Sequence, residues 1–169
     1  MLSLENALLL LAGFIGMEAV TYFVHRFVMH GLLRSLHVSH HRNAAAAYAS
    51  KAPEPNDVFP LAFSVVVVVG LWAGFNVTGA AWLLPLLVGV SVYGAVYTVV
   101  HDGVIHGRIR WMKRIDTEWS TRLAAAHREH HRANSEPYGM LFPNLTMQRS
   151  VSHQALRSGS IPSQVPIDQ

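Results

Sequence analysis

The sequence predicts an all-α integral membrane protein with three transmembrane helices and a histidine-rich helical cap at one end of them. The 169-residue chain is 51% hydrophobic and only 14% charged, whereas soluble domains average roughly 25% charged residues. Its apolar residues are gathered in blocks rather than spread along the chain, which is typical of membrane spans. Ten of its eleven histidines occur in a repeated order after two of these blocks, and this order predicts the cap.

The first apolar block, residues 4–24, predicts the first span. As a helix it would be about 31 Å long, which is enough to cross a bilayer. No lysine or arginine precedes it, so it lacks the basic start of a signal peptide. Arg26 marks the point where the helix leaves the lipid, and Gly31 is a candidate helix end.

Residues 58–100 carry no charged side chain and predict two further spans. As one helix they would be about 65 Å long, twice the thickness of a bilayer, so the segment must fold back. Because Asn76-Val-Thr-Gly79 is its only turn-like sequence, we expect spans at 58–75 and 80–100, with a kink at Pro85. Four glycines of the spans are expected at close helix contacts: Gly13, Gly16, Gly89 and Gly94.

The chain beyond the third span is polar and basic. Trp111, Ile115, Trp119 and Leu123 recur at four-residue spacing, which predicts an amphipathic helix over 109–126 on the lipid surface. Asp116 is a candidate N-cap for the helix that carries the last histidines. We expect residues 1–158 to form a single domain and the Ser/Pro/Gln-rich residues 159–169 to be a disordered tail.

Charge predicts the orientation in the membrane. Three spans put residues 25–57 and 101–169 on one side, and all 13 lysines and arginines lie in these two segments. The positive-inside rule makes that side cytoplasmic. We therefore expect an inner-membrane protein with its N-terminus outside and its histidines and C-terminus in the cytoplasm. The basic charge is then a topology signal, not a sign of nucleic-acid binding.

The histidines follow the order pair, triplet, pair, triplet. Within each triplet the spacing i, i+3, i+4 places the three imidazoles on one helical face, where they can converge on a metal. Within each pair the spacing of five corresponds to about 140° around an α-helix. A pair can therefore bind one ion only if the helix unwinds; otherwise its members serve different ions. The ten residues are His25, His30, His37, His40, His41, His101, His106, His127, His130 and His131.

The ligand count favours two metals. The chain has no cysteine, which excludes disulfides, iron–sulfur clusters and thiolate sites. A structural zinc ion needs about four ligands, and ten imidazoles shared by two six-coordinate ions leave one open position on each. Imidazole alone does not select among iron, zinc, copper and nickel. The open positions predict a two-metal oxygen-activating site.

Three alternatives stand beside this prediction: a metal-scavenging histidine surface, a bis-histidine haem protein and a non-enzymatic metal transporter. Haem would need lone histidines facing each other within the spans, and a transporter would need polar residues through several spans. The histidines instead lie at or beyond the span ends. Glu18 is the only charged residue deep in a span.

Two carboxylates are candidates for orienting the histidine ligands, and no catalytic residue is predicted beyond the ligands themselves. Glu18 lies about two helical turns before His25 on the same face, and carboxylates inside a membrane are functional candidates. It would bond a ligand or border the substrate path, unless it pairs with Tyr93 or Tyr97. Asp102 adjoins His101 and would orient a ligand, unless it is a simple interfacial carboxylate.

The spacing H-x4-H, H-x2-H-H, H-x4-H, H-x2-H-H closely resembles that of the bacterial-type β-carotene hydroxylases. These enzymes belong to the superfamily of membrane fatty acid hydroxylases and sterol desaturases. His101-Asp-Gly-Val-Ile-His106 and Pro137-Tyr-Gly-Met-Leu-Phe142 are also similar to that family. The resemblance extends over residues 10–145.

The resemblance implies a membrane non-haem di-iron monooxygenase with the ten histidines as iron ligands. It would hydroxylate C3 of the β-ionone rings of a carotenoid in the bilayer, taking β-carotene through β-cryptoxanthin to zeaxanthin. O2 would supply the oxygen, and ferredoxin or a similar donor would supply two electrons. No G-x-G-x-x-G follows a predicted strand, so the reductant must be a separate protein. Sterol, fatty-acyl and carotenoid-ketolase enzymes have similar motifs and stay alternatives.

Overall fold

A computed structural model describes residues 3–41, 53–107, 109, 111–112, 115 and 117–142. Every regular element in these ranges is helical, and three of the helices are long and apolar enough to cross a membrane. The predicted fold class is therefore confirmed. The tail at 159–169, the domain limit at 158 and Asp116 lie outside the described residues.

Three spanning helices form the body of the protein. The first is continuous, although its last part is π-helical, and the third is extended in the same way. In these π-helical turns the backbone bonds join residues five apart. The spanning elements are α1 (Leu4–Phe23) with π1 (Val24–Leu32), α3 (Val58–Asn76) after a 3₁₀ turn (Pro55–Asp57), and α4 (Leu83–Thr98) with π2 (Val99–Ile105).

The predicted reversal between the second and third spans is confirmed. The chain turns at residues 77–79, and Gly79 has a φ of 83°, a left-handed conformation that glycine adopts without steric cost. The following helix begins at Leu83, three residues later than expected. Pro85 therefore lies in the first helical turn, where an N–H would have no partner, so the expected kink has no cause there.

The α4 helix packs against both α1 and α3, and it meets α1 through two glycines. A Cβ atom on Gly13 would lie 2.1 Å from the Leu86 carbonyl oxygen, and one on Gly89 would lie 2.0 Å from the Leu10 carbonyl oxygen. Nothing lies within 4 Å of a Cβ on Gly16 or Gly94. The expectation of close packing is right for the first two glycines and wrong for the other two.

Adding one methyl group at this crossing should separate α1 from α4. We expect Gly13→Ala to lower the free energy of unfolding by about 1–3 kcal/mol, the usual cost of overpacking, because a backbone oxygen cannot rotate away. Gly16→Ala is the matched control on the same helix and should be neutral or slightly stabilising. Thermal unfolding in detergent compares them; equal melting temperatures for the two variants would contradict the close contact.

The buried apolar core lies toward the π-helical ends of α1 and α4. Tyr93 is 1% exposed and stands at its centre, whereas side chains such as Leu8, Val66 and Trp72 are exposed and face the surroundings, as expected for lipid-contacting surfaces. The core joins α1 and α4 to the cap, so it fixes the cap against the spans. Its members are Met17, Tyr93, Val100, Leu123, Met140 and Leu141.

The cap contains two histidine-bearing helices, α2 (34–41) and α5 (Glu118–Ala133). The prediction of a helix from 109 is wrong, because the described residues between 109 and 117 form turns and α5 begins only at Glu118. Thr117, and not Asp116 as predicted, is its N-cap: Ser120 N–H donates to Thr117 Oγ1 at 3.1 Å, and Thr117 N–H donates to Ser120 Oγ at 2.9 Å. This reciprocal pair satisfies two donors that the first turn leaves free.

Candidate metal centre

The two five-residue histidine pairs lie in the π-helical turns that end α1 and α4. Leu33 N–H bonds to the Val28 carbonyl at 2.7 Å, and His106 N–H bonds to the His101 carbonyl at 2.9 Å, both with i to i+5 spacing. This wider turn stacks residues five apart, so the ring centroids of His25 and His30 are 5.0 Å apart. Each helix is therefore locally underwound, and this brings together two histidines that would lie on different faces of an ordinary α-helix.

Nine of the ten histidines form two groups, each with one ring nitrogen per residue within 4.8 Å of the others. The two groups adjoin, since the rings of His41 and His131 stack with centroids 4.4 Å apart. The first group contains His25, His30, His37, His41 and His130. The second group contains His40, His106, His127 and His131.

Each triplet is divided between the groups, which corrects the expectation that its three imidazoles converge together. On α2 the i, i+4 residues His37 and His41 enter the first group, and His40 enters the second. On α5 the i, i+4 residues His127 and His131 enter the second group, and His130 enters the first. Both cap helices therefore lie between the two groups and contribute to each.

The tenth predicted residue, His101, is close to the second group but not within it. Its ring centroid is 4.5 Å from that of His106 and 4.9 Å from that of His127. Its Nδ1 lies 2.7 Å from Asp102 Oδ1, as expected if Asp102 orients it. The assignment of all ten residues as ligands stays a prediction.

The nitrogen separations test whether a metal fits. Within the groups, five Nε2–Nε2 distances lie between 2.9 and 3.2 Å. With metal–nitrogen bonds of about 2.0–2.1 Å, ligands at right angles would be about 2.9 Å apart and tetrahedral ligands about 3.3 Å apart. The distances thus suit an ion with neighbouring ligands near right angles. Five imidazoles in one group also exceed the four of a closed zinc site.

The opposite ring nitrogens face oxygen acceptors outside the groups. His25 Nδ1 lies 3.0 Å from the Tyr138 carbonyl oxygen, and His37 Nδ1 lies 2.7 Å from Asn56 Oδ1. His130 Nδ1 bonds the Ser135 carbonyl oxygen. Because a carbonyl oxygen can only accept, Nδ1 carries the hydrogen and Nε2 presents a lone pair to the group. Metal-binding histidines have this arrangement.

Comparisons with known proteins identify the family of this chain. The family model described as "Fatty acid hydroxylase" matches residues 10–146. The chain belongs to the fatty acid hydroxylase family. The resemblance drawn from the histidine spacing is thereby confirmed.

Similar proteins of this family bear the name beta-carotene hydroxylase. One from a Paracoccus strain is 34% identical over 82% of this chain and 82% of its own length. One from Pantoea ananas is 34% identical over 78% of this chain and 71% of its own length. A chloroplastic beta-carotene hydroxylase of Capsicum annuum is 35% identical over 75% of this chain and 40% of its own length. No solved structure matches.

Sequence reasoning missed three residues around the hydroxylase family site. Asn56 and Glu54 precede the second span and were not singled out, yet Asn56 bonds His37, and Glu54 Oε1 lies 3.6 Å from His40 Nδ1. Tyr138 acts through its carbonyl, which carries no residue-specific signal. A polar residue next to a predicted span end was the available clue for the other two.

Removing the Asn56 acceptor should loosen His37. We expect Asn56→Leu to lower metal affinity by about 10–100-fold, the usual cost of losing an orienting partner, while the spans stay folded. Metal titration of the purified chain measures this. Asn76→Leu, at the distant end of α3, is the matched control; equal affinities in both variants would show that His37 needs no acceptor.

Burial keeps the cap histidines neutral. Desolvation, followed by repulsion from neighbouring imidazoles, lowers the pKa of His41 to about 4 and that of His131 to about 3. Desolvation also lowers the pKa of His37 to about 4, against the Asn56 hydrogen bond. Burial is also the main cause that lowers the pKa values of His40 and His127. Neutral imidazole is the form that binds metal.

These pKa shifts predict acid sensitivity of the metal-free protein. His37 and His41 have an ordinary pKa of 6.5 when unfolded and about 4 when folded, so between these values the unfolded chain binds more protons. The free energy of unfolding should therefore fall as pH drops from about 6.5 to about 4. Melting temperatures at pH 5 and 7.5 measure it. His41→Asn should reduce the difference; a melting temperature independent of pH would contradict the burial.

Proposed function

We propose that this chain is a di-iron monooxygenase that hydroxylates C3 of the β-ionone rings of β-carotene, by way of β-cryptoxanthin to zeaxanthin. The observation that carries the proposal is the pair of adjoining imidazole groups with inward Nε2 atoms at the ends of three spans. The names of the similar beta-carotene hydroxylases support the substrate.

The ten histidines would hold two irons, with His101 completing the second group. When bound, the irons supply the O2 activation that breaking an unactivated C–H bond requires. The balanced reaction takes R–H, O2, two electrons and two protons to R–OH and water. The chain's own contribution is to hold each imidazole with its lone pair inward and to exclude solvent: His130 is fully buried and His40 is 2% exposed.

A cavity of about 260 Å³ adjoins the first group and is lined by residues of π1 and of the two cap helices and their ends. His30, His41 and His131 line it together with the polar residues Arg34 and Asn134. Water and small molecules would approach by this route. The carotenoid would approach from the opposite side, where apolar side chains of the spans face lipid, because a long hydrocarbon partitions into the bilayer.

The cap would face the cytoplasm of an inner-membrane protein, with the N-terminus outside. All 13 lysines and arginines lie in the two segments on the cap side, which supports this orientation. A ferredoxin-type protein would deliver electrons there. If acidic groups on the donor bind these basic residues, turnover should fall as salt rises; salt-independent turnover would contradict that mode of docking.

Product analysis in bacteria that accumulate β-carotene tests the function. Expression of the chain should yield β-cryptoxanthin and zeaxanthin, with the oxygen of the product derived from ¹⁸O2. Iron content near two per chain is expected. A keto product would indicate a ketolase, and unchanged β-carotene, in cells where a characterised hydroxylase makes zeaxanthin, would overturn the substrate assignment.

A further inference from the structure

Residues 135–142, the return segment, run from the end of α5 back to α1 and supply acceptors to two histidines of the first group. The Ser135 carbonyl accepts from His130, and the Tyr138 carbonyl accepts from His25 Nδ1 at 3.0 Å. The tyrosine ring also packs edge-on against the His25 ring, with centroids 5.5 Å apart. The position of this segment therefore sets the orientation of His25.

One face of the first span, formed by α1 and the start of π1, binds the return segment at two points. A carboxylate of the segment accepts hydrogen bonds at the first point, and a carboxylate of α1 accepts them at the second. Glu136 of the segment accepts hydrogen bonds from Tyr22 Oη at 2.7 Å and from Arg26 Nη1 at 2.9 Å. Glu18 of α1 binds the other end of the segment. Glu18, Tyr22, His25 and Arg26 occupy positions i, i+4, i+7 and i+8, which lie on one side of a helix.

The Glu18 carboxylate accepts from four donors. Three are successive backbone N–H groups of the return segment: Met140 at 2.8 Å, Leu141 at 3.1 Å and Phe142 at 3.1 Å. The fourth is the hydroxyl of Tyr93 on α4, at 2.5 Å. A carboxylate has only acceptor sites and suits this set. An amide of the same shape would turn its NH2 group toward donors and could not hold the segment equally.

Gly139 makes this close approach possible. A Cβ atom at that position would lie 2.8 Å from Glu18 Oε1, closer than such contacts occur. The residue stands between Tyr138, whose carbonyl orients His25, and Met140, whose N–H binds Glu18. The hydrogen bond from Met140 N–H to Glu18 therefore lies only two residues from the Tyr138 carbonyl that accepts from His25.

We propose that Glu18 is a positioning residue for the first metal group. It fixes the return segment on α1, and thereby holds the Tyr138 carbonyl where it keeps His25 Nε2 directed at the metal. No hydrogen bond joins Glu18 itself to a described histidine, so it acts through the segment and not as a direct partner of a ligand. The inference rests on the proposed two-metal centre, but not on the carotenoid substrate.

Cobalt(II) binding to the full chain in detergent tests the proposal, because imidazole sites bind this ion and no turnover is needed. In a His127→Ala background, which keeps the first group, we expect Glu18→Gln to weaken cobalt binding by about 10–100-fold. In a His130→Ala background, which keeps the second group, Glu18→Gln should have no effect. Glu5→Gln, on the exposed first turn of the same helix, is the matched control and should leave both sites unchanged.

A general loss of structure would weaken both remaining sites alike, and that result would overturn the proposal, as would no change at either. If the Glu18→Gln protein does not accumulate, Gly139→Ala in the same two backgrounds decides, because its methyl group displaces the carboxylate without removing it. Wild-type protein that binds two cobalt ions but makes no hydroxylated carotenoid would refute the proposed substrate and leave this inference standing.

Discussion

His130→Ala should abolish hydroxylation and reduce the iron content from about two to about one per chain. This side chain is fully buried, its Nε2 lies 3.0 Å from that of His30, and its Nδ1 bonds the Ser135 carbonyl. The change removes a ligand itself, so the loss should exceed the roughly 10–100-fold cost of losing an orienting partner. Iron analysis and product formation in cells that accumulate β-carotene measure the effect.

Two comparisons make the result specific. His40→Ala should remove iron from the second group instead, again leaving about one per chain. His153→Ala changes the one histidine outside the repeated pattern and should keep both irons and full activity. Two irons and normal activity in His130→Ala protein would show that this residue is not a ligand.

The spans and the position of the histidines were predictable because both depend on local composition. An uncharged stretch twice the bilayer thickness must reverse, and it does so at residues 77–79. The ends of α1 and α4 then bring their histidine pairs to the same end of the body. Gly13 and Gly89 could not be distinguished from Gly16 and Gly94 in the same way, because which side of each helix meets its partner depends on the crossing.

The division of the triplets was not predictable from helical spacing alone. Three histidines on one helical face could bind a single ion or two adjoining ions. Only the way in which α2 packs against α5 decides that His40 and His130 each belong to a different group from the other two histidines of their triplet. The acceptors for Nδ1 were missed for a similar reason. Asn56 and the Tyr138 carbonyl reach the site through tertiary contacts across 19 and 113 residues of sequence, which no local motif records.

Inserting one alanine after Phe27 should disrupt both metal groups. The insertion would place the pair of π1 six residues apart, a spacing that stacks in neither an α-helical nor a π-helical turn. In a continuous helix every later residue would also rotate by about 100° and shift by about 1.5 Å relative to α1. This displaces α2, which carries His37 and His41 of the first group and His40 of the second, although all ten histidines remain.

We therefore expect the insertion to reduce iron to well below one per chain and hydroxylation by at least about 100-fold, since it displaces ligands of both groups and not one orienting group. Phe27→Ala is the matched control: the side chain is 51% exposed, and its removal keeps the spacing of five. It should retain both irons, because the ring packs against Phe23 and Arg26 and not within a histidine group. Two irons in the insertion variant would mean that the spacing of five is not required.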